Sequence, residues 1–365
     1  MATARHTVPT ARGRLDDMKA TVLNAPRDIQ VVDVPDPTVV APTDAVVRVT
    51  AACVCGSDLW PYRGINEVKE PTRIGHEFVG IVEEVGTEVR SLRPGDFVIA
   101  PFMYSDNTCP HCQVGIQSAC STGGFWGSTD RDGVVVDGGQ GEYVRVPLAD
   151  GTLVSTRDVP DDELVPSLLT LSDVMGTGWH AAVAAGVQEG DTVVVVGDGA
   201  VGLCGVLAAQ QLGAERIVVM SRHEPRQRLA REFGATDVVE VRGDEAVEAV
   251  RELTDAVGAD AVLECVGTNE SMHTAIAVAR PGATVGYVGV PHGIEYPVRD
   301  LFARNVGLAG GIAPARQYLP DLRDRVLSGA INPGLVFDLT VPLSDIAEGY
   351  AAMDERRAIK SLVRP

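Results

Sequence analysis

The chain has 365 residues, of which 45% are hydrophobic and 22% are charged, a composition typical of a globular protein with room for two domains. Its net charge of −19 would repel a phosphate backbone, which argues against nucleic acid as a partner. No run approaches the roughly 18 apolar residues of a membrane span, so we expect no membrane partner.

The first 17 residues, MATARHTVPTARGRLDD, are polar and lack the apolar core of a secretory signal. We therefore expect residues 1–17 to form a loose tail.

Without an export signal, the odd number of seven cysteines favours metal binding or catalysis over a disulfide framework. The same observations predict a reducing, cytoplasmic location.

Short β-rich segments separated by glycine and proline extend from Lys19 to about Asp150, among them AVVRVTAACV, GIVEEVG and DFVIAP. This spacing predicts a compact, mostly β domain. Two thiols, Cys53 and Cys55, lie at the end of the first of these segments. Because alternate residues of a strand share a face, the residues alone leave both open as metal ligands.

A different pattern begins near Val174, where apolar strands such as TVVVVG, IVVMS and AVLECVG alternate with amphipathic helical stretches. This alternation predicts βαβ units and a doubly wound parallel sheet. After Pro314 the chain returns to mixed elements, up to Pro365. The simplest organisation is a β-rich domain that is closed by the C-terminal segment, with a dinucleotide-type domain inserted.

A glycine-rich turn, VVVVGDGAVG, lies between a predicted strand and a predicted helix and has the spacing G-x-G-x-x-G. Its glycines permit a tight turn and the close approach of a pyrophosphate to the helix N-terminus. The expected coenzyme contacts are Gly197, Gly199, Ala200, Val201 and Gly202, together with Val266 near the end of AVLECVG.

The next strand, RIVVM, ends in Ser221 and Arg222, where an NAD site usually offers an acid to the ribose hydroxyls. A hydroxyl followed by arginine suits the 2′-phosphate of NADP, and Arg226 could join them if the segment is helical. Glu224 comes slightly late for the acidic role but keeps NAD open. We therefore expect NADP to be preferred, with NAD as the alternative.

The stretch GHEFVGIVEEVGTEV, from Gly75 to Val89, follows VCGSD at Val54–Asp58 and precedes the dinucleotide turn. With these motifs the sequence resembles the zinc-dependent alcohol dehydrogenases of the medium-chain dehydrogenase/reductase superfamily, from Lys19 to the C-terminus. The resemblance implies an α/β fold with a GroES-like catalytic domain, residues 18–173 and 314–365, around a Rossmann doubly wound domain, residues 174–313.

The resemblance implies Cys55 and His76 as ligands of a catalytic zinc, and so selects Cys55 over Cys53. Glu77 is similar to the adjacent acid that approaches the metal in this family. The third ligand is implied at Asp173, in LSDVMGTGWHAA, where many relatives have cysteine. The alternative for Asp173 is a helix N-cap.

Relatives also carry a structural zinc lobe with the spacing C-x-x-C-x-x-C-x7-C. Cys109, Cys112 and Cys120 match its last three ligands, and Asp106 stands at the first position. A carboxylate is an acceptable zinc donor, so we expect a second zinc here. His111 is the rival ligand, but it falls inside the C-x-x-C turn; the other alternative is a lobe that has lost its metal.

Ser57 matches the hydroxyl through which this family passes the alcohol proton towards solvent, so Ser57 and Glu77 are the implied catalytic residues. Trp60 stands where many relatives have a histidine that continues this relay. Tryptophan cannot carry a proton, which leaves open Tyr62 or water as a replacement and a place for Trp60 in the wall of the substrate pocket.

The implied function is that of an oxidoreductase interconverting an alcohol and its aldehyde or ketone by hydride transfer, with two zinc ions per chain, in a homo-oligomeric dimer or tetramer. Two rivals are a zinc-free quinone or enoyl reductase on the same fold and a non-catalytic NADP-binding homologue. Cys204 and Cys265, in the dinucleotide-type part, are expected to be buried as small apolar residues.

Overall fold

The computed structural model describes residues 17–68 and 70–365. The expected N-terminal tail therefore lies outside the described residues, except for Asp17, which begins the first strand. Among the helices of the described ranges, none is both long and apolar enough to cross a bilayer.

The N-terminal part consists of short strands joined by turns, as its closely spaced glycines and prolines predict. The strands are β1 (Asp17–Ala25), β2 (Asp28–Pro35), β3 (Ala45–Cys53), β4 (Thr72–Arg73), β5 (Phe78–Val85), β6 (Phe97–Ala100), β7 (Met103–Tyr104), β8 (Gly124–Phe125), β9 (Ser128–Thr129), β10 (Val135–Val136), β11 (Tyr143–Val146) and β12 (Val154–Arg157). The helices between them are α1 (Leu59–Tyr62), α2 (Pro110–Gln113), α3 (Ala149–Thr152) and α4 (Val165–Thr170).

In the second part, strands and helices alternate. The elements are α5 (Val174–Ala185), β13 (Thr192–Val196), α6 (Ala200–Gln211), β14 (Arg216–Met220), α7 (Glu224–Glu232), β15 (Asp237–Val239), α8 (Gly243–Leu253), β16 (Ala259–Glu264), α9 (Asn269–Val278), β17 (Ala279–Tyr287), α10 (Val298–Arg304) and β18 (Gly307–Gly310). The chain then ends with α11 (Ala315–Leu327), β19 (Phe337–Pro342), α12 (Ile346–Asp354) and β20 (Lys360–Arg364).

The alternating part forms a six-stranded parallel sheet with the order β15-β14-β13-β16-β17-β18. Its central strands are valine-rich, and Val193, Val194 and Val195 are fully buried because helices cover both faces. The strand order reverses between β13 and β16, and the crevice at such a point is where doubly wound sheets bind dinucleotides.

A seven-stranded sheet unites the N-terminal part with the end of the chain. Its order is β12-β6-β5-β3-β20-β19, and β11 pairs with β3 on the side path. The last strand, β20, pairs antiparallel with β3, so that Leu362 lies opposite Cys53. This pairing brings Lys360 next to the end of β3, where it contacts Glu77.

Candidate active site

Three donor side chains from distant parts of the sequence meet where the seven-stranded sheet ends. Cys55 follows β3, His76 precedes β5, and Asp173 immediately precedes α5. The Oδ2 atom of Asp173 lies 3.5 Å from the Sγ of Cys55 and 3.6 Å from the Nε2 of His76. Tetrahedral zinc, with bonds of about 2.0–2.3 Å to O, N and S, would place these atoms about 3.3–3.5 Å apart, so the cluster fits a zinc ion.

The structure separates the two thiols that strand periodicity left open. Strand β3 ends at Cys53, so Cys55 lies in the following turn and the two do not share a strand face. The Sγ of Cys53 is fully buried and donates to Oε2 of Glu77, 3.2 Å away. The metal-capable group of Cys55, His76, Glu77 and Asp173 does not include Cys53.

Each of the three donors is held by a neighbouring polar group. Asp58 Oδ1 lies 3.3 Å from Nδ1 of His76, and its Oδ2 accepts from the Cys55 backbone N–H at 3.0 Å. This contact favours a proton on Nδ1 and leaves Nε2 free to ligate. Thr177 Oγ1 donates to Asp173 Oδ1 at 2.6 Å. Asp173 stands at the N-cap of α5, but its side chain caps no backbone amide there.

The buried acidic groups of this site require a cation. Glu77 is fully buried, and its Oε1 accepts from the Nζ of Lys360, itself 1% exposed, at 2.7 Å. Burial, together with Glu77 and Asp173, raises the pKa of the Cys55 thiol to about 11. Without a metal ion the Cys55 thiol therefore stays protonated at neutral pH. A divalent ion bound at these donors would stabilise the Cys55 thiolate and compensate the Asp173 carboxylate, since Lys360 pairs with Glu77.

Ser57 is half-buried in the turn between Cys55 and α1, beside the exposed Gly56. Trp60, on α1, stacks against His292 from the segment after β17, with ring centroids 3.2 Å apart and an interplanar angle of 3°. Tyr62 is buried and packs against Tyr350, with ring centroids 5.3 Å apart. The tryptophan thus connects the N-terminal part to the parallel-sheet part.

The lobe around α2 brings together the four side chains expected there. Oxygen and sulfur atoms of Asp106, Cys109, Cys112 and Cys120 all lie within 4.8 Å of one another. The Sγ of Cys109 lies 3.6 Å from that of Cys112 and 3.9 Å from that of Cys120, whereas thiolates on one tetrahedral zinc lie about 3.8 Å apart. Backbone N–H groups of Ser121 and Cys112 lower the pKa of Cys109 to about 6.

Asp106 also shapes the chain around this lobe. Its Oδ1 accepts from the backbone N–H of Thr108 at 2.7 Å and of Cys109 at 2.9 Å, and its Oδ2 accepts from Thr122 Oγ1 at 2.6 Å. These bonds lower the pKa of Asp106 and keep it an anion. The side chain of His111 is exposed and outside the cluster.

The dinucleotide turn has the local geometry that its glycines predict. Gly197 has φ 119°, a conformation that favours glycine, and a Cβ on Gly202 would come within 2.1 Å of the Gly197 carbonyl oxygen. A Cβ on Gly199 would meet nothing within 4 Å. Ala200 and Val201 begin α6, so the open space beside Gly199 lies at the N-terminus of this helix, where a pyrophosphate fits.

A cavity of about 290 Å³ extends from this turn along the ends of β13, β14 and β16. Its lining includes Gly197, Ser221, Arg222 and Val266 from the expected set. Arg226 is outside the lining and pairs with Asp198 at 3.1 Å. Glu224, the candidate for a ribose contact, pairs with Arg228 and has a side chain that is 80% exposed.

Comparison with known proteins decides the family. The family model described as "Alcohol dehydrogenase GroES-like domain" matches residues 41–158, and "Zinc-binding dehydrogenase" matches residues 200–328. A zinc-type alcohol dehydrogenase B of Aspergillus flavus is 32% identical over 95% of this chain and 81% of its own. The chain belongs to the zinc-dependent alcohol dehydrogenases of the medium-chain dehydrogenase/reductase superfamily.

Two further relatives support this dehydrogenase assignment. The NADP-dependent isopropanol dehydrogenase of Clostridium beijerinckii is 30% identical over 86% of this chain and 88% of its own. The structure of an alcohol dehydrogenase from Thermus sp. ATN1 superposes with a TM-score of 0.87 at 32% identity, over 95% of this chain and 99% of that one. The predicted fold class, a GroES-like domain plus a Rossmann domain, is confirmed.

This dehydrogenase is therefore an oxidoreductase that interconverts an alcohol and its aldehyde or ketone by hydride transfer, and its cofactors are zinc and a nicotinamide dinucleotide. The zinc-free reductase and the non-catalytic homologue are not favoured, since the relatives are zinc-type alcohol dehydrogenases.

Sequence reasoning missed several residues of this alcohol dehydrogenase site. Asp58 stood in the quoted VCGSD motif but had no assigned role. Lys360 is the single charged residue of AIKSLV, which is otherwise apolar except for Ser361, and such a pattern indicates a buried partner. The other missed residues line the coenzyme cavity: Asp198, Arg242 and Arg356. No local pattern marks Arg356, which reaches that cavity only through the tertiary fold.

We expect Cys55→Ser to lower the zinc affinity of the catalytic site more than about 100-fold, since loss of an outer partner alone costs 10–100-fold. Turnover should be abolished while the fold and coenzyme binding persist. Zinc per chain by plasma mass spectrometry and coenzyme binding by calorimetry measure this. The matched control is Cys53→Ser, which should keep its zinc. Equal zinc loss in both variants, or full activity in metal-free wild type, would contradict the assignment.

We expect Asp106→Asn to lower the zinc content from about two ions per chain towards one and to lower the unfolding temperature, because binding energy at a structural site is local folding energy. Asparagine keeps the two bonds to backbone N–H groups but loses the anionic donor, so the loss reports on ligation. Asp106→Ala should behave likewise or more severely.

His111→Ala is the control for the lobe, because the exposed His111 side chain is the rival ligand. It should leave the zinc content unchanged. A wild-type protein with one zinc and full stability, or zinc loss in His111→Ala alone, would refute Asp106 as the fourth ligand.

Proposed function

We propose that residues 18–173 and 314–365 form the catalytic domain and residues 174–313 the coenzyme domain. In support, the seven-stranded sheet consists of β3, β5, β6, β11 and β12 together with β19 and β20, whereas β13 to β18 form the parallel sheet. The substrate alcohol or carbonyl compound would then bind between them, in front of Cys55, His76 and Asp173. The meeting of these three donors is the observation that carries the proposal.

The catalytic ion supplies a Lewis acid that polarises the oxygen of the substrate, and the coenzyme supplies the hydride acceptor or donor. Asp58 orients the His76 ring, and Thr177 fixes the Asp173 carboxylate. Lys360 and the Cys53 thiol each donate a hydrogen bond to one oxygen of Glu77, and these two bonds fix the Glu77 carboxylate next to the three donors. Asp173 in place of a thiolate gives a harder, less electron-rich site.

Ser57 is proposed to receive the hydroxyl proton of the alcohol. Its half-buried position beside the exposed Gly56 supports direct release of this proton to solvent. Neither Trp60 nor Tyr62 is needed for that route, because the first is stacked on His292 and the second is buried against Tyr350.

A preference for NADP over NAD is proposed from the coenzyme cavity. Ser221 and Arg222 line it together with Arg242, and neither arginine has an ion-pair partner within residues 17–68 and 70–365. A free guanidinium can form a charge-assisted, bidentate pair with a 2′-phosphate. The NADP-dependent enzyme of Clostridium beijerinckii is a relative over most of the chain.

A homo-oligomer is proposed from the free edge of the parallel sheet. Strand β18 is the last in that sheet, and its neighbours expose large apolar side chains: Val298 at 68%, Phe302 at 85% and Ile312 at 57%. An exposed edge with apolar flanks suits pairing with a second copy of this chain.

A reducing compartment such as the cytoplasm suits the seven cysteines, all within the described residues and all free.

We expect the double change Ser221→Asp, Arg222→Ala to reverse the coenzyme preference. The new carboxylate would accept from the ribose hydroxyls and repel the 2′-phosphate, and the guanidinium would be lost. Hydrogen bonds to charged groups are worth about 1.5–3 kcal/mol, so the wild type should prefer NADP by about ten- to a hundredfold. The ratio of kcat/KM for the two coenzymes measures this, chiefly through KM.

Arg228→Ala is the control for the coenzyme test, since this arginine pairs with Glu224 on the exposed face of α7. The ratio should not change. A wild type that uses NAD more efficiently would overturn the NADP proposal.

We expect Phe302→Asp to shift the protein from an oligomer towards the 38.5 kDa chain, because a charge would be buried at the proposed interface. Light scattering after size-exclusion chromatography measures the mass. Val257→Asp, at an exposed valine between α8 and β16, is the control and should keep the wild-type mass. An unchanged mass for Phe302→Asp would refute this edge as the interface.

A further inference from the structure

An acidic side chain lies inside the dinucleotide turn itself. Asp198 stands between Gly197 and Gly199 and lines the coenzyme cavity together with Ser221. Its Oδ2 accepts from Ser221 Oγ at 2.8 Å, and its Oδ1 accepts from Arg226 Nη1 at 3.1 Å. The side chain of Asp198 is 18% exposed, so this small network forms part of the cavity wall.

The carboxylate engages two groups that a 2′-phosphate would need. Ser221 is 3% exposed and has one hydroxyl proton, which it donates to Asp198; donation to a phosphate would break that bond. The charge of Arg226 is already balanced by Asp198. Attraction for the phosphate therefore comes from Arg222, Arg242 and Arg356, which line the cavity and have no ion pair among the described residues.

The two coenzymes differ in what they present to this carboxylate. The ribose 2′-hydroxyl of NAD is a hydrogen-bond donor that a carboxylate accepts, whereas the 2′-phosphate of NADP is an anion that a carboxylate repels. The repulsion acts inside a partly buried wall, where solvent screens it less than at the surface. Asp198 in the turn therefore opposes the arginines of the same cavity, which a second acid, Glu270, also lines.

We propose that Asp198 is a specificity-determining residue for the coenzyme. It weakens binding of the 2′-phosphate by holding Ser221 and Arg226, and it keeps NAD as a usable coenzyme. This inference rests on the proposed coenzyme site, and it assigns to that site an element that limits the preference for NADP.

The test measures binding of 2′,5′-ADP and 5′-AMP to the full chain by calorimetry, because the two probes differ only in the 2′-phosphate. Asp198→Asn keeps an acceptor for Ser221 and removes the charge. It should tighten binding of 2′,5′-ADP about tenfold and leave 5′-AMP unchanged or weaker, the size expected for one charged hydrogen bond. Asp198→Ser, also uncharged, should change the affinity in the same direction.

Arg226→Gln should have the opposite effect and weaken 2′,5′-ADP, because Asp198 is then uncompensated. A merely structural role for the network would instead weaken both probes in all three variants. The matched charge control is Glu224→Gln, an exposed acid outside the cavity, which should leave the ratio of the two affinities unchanged.

The proposal is overturned if Asp198→Asn leaves the ratio unchanged or lowers it, or if Glu224→Gln raises the ratio equally. The same measurements distinguish failure of this inference from failure of the proposed coenzyme site. A wild-type protein that binds neither probe would refute the site, whereas one that binds both with a ratio insensitive to Asp198 refutes only this inference.

Discussion

The structure depends on balancing negative charge that is buried at the end of the catalytic sheet. Cys55, Glu77 and Asp173 converge there with little access to water, and such groups are stable as anions only beside a compensating cation. Lys360 supplies one fixed positive charge, on the strand that closes the sheet against β3. A divalent ion bound by Cys55, His76 and Asp173 would balance the remaining negative charge, so the proposed catalytic metal would also stabilise the fold at this place.

The polar groups around these donors define the geometry in which a substrate oxygen would meet the ion. Asp58 and Thr177 each hold one donor, and Lys360 and Cys53 hold the oxygens of Glu77. Because these partners are buried, a change in any of them leaves a polar atom unpaired and moves the ligand that it supports. The precision of the site therefore resides largely in residues that do not touch the metal.

In the coenzyme cavity, by contrast, positively charged arginines and a negatively charged aspartate line the same space. Arginines from the ends of β14 and β15 face the acid of the glycine turn. In the proposed coenzyme site, the choice of coenzyme would be a difference between attraction and repulsion of the same phosphate, which small charge changes can shift. Elsewhere, the stacked rings of Trp60 and His292 join the two parts of the chain.

The sequence by itself determined the two kinds of sheet and the glycine turn, because these depend on periodicity and on short local spacings. The candidate metal donors were implied by the resemblance of its motifs to a known family. The pattern of alternate residues left Cys53 and Cys55 equivalent; the family resemblance selected Cys55, and the end of β3 at Cys53 shows that the two thiols do not share a strand face. The roles of Asp58, Lys360, Asp198 and Arg356 were decided by tertiary structure alone. Each contacts groups that only the folded chain brings close, so the role of its charge cannot be predicted from the sequence.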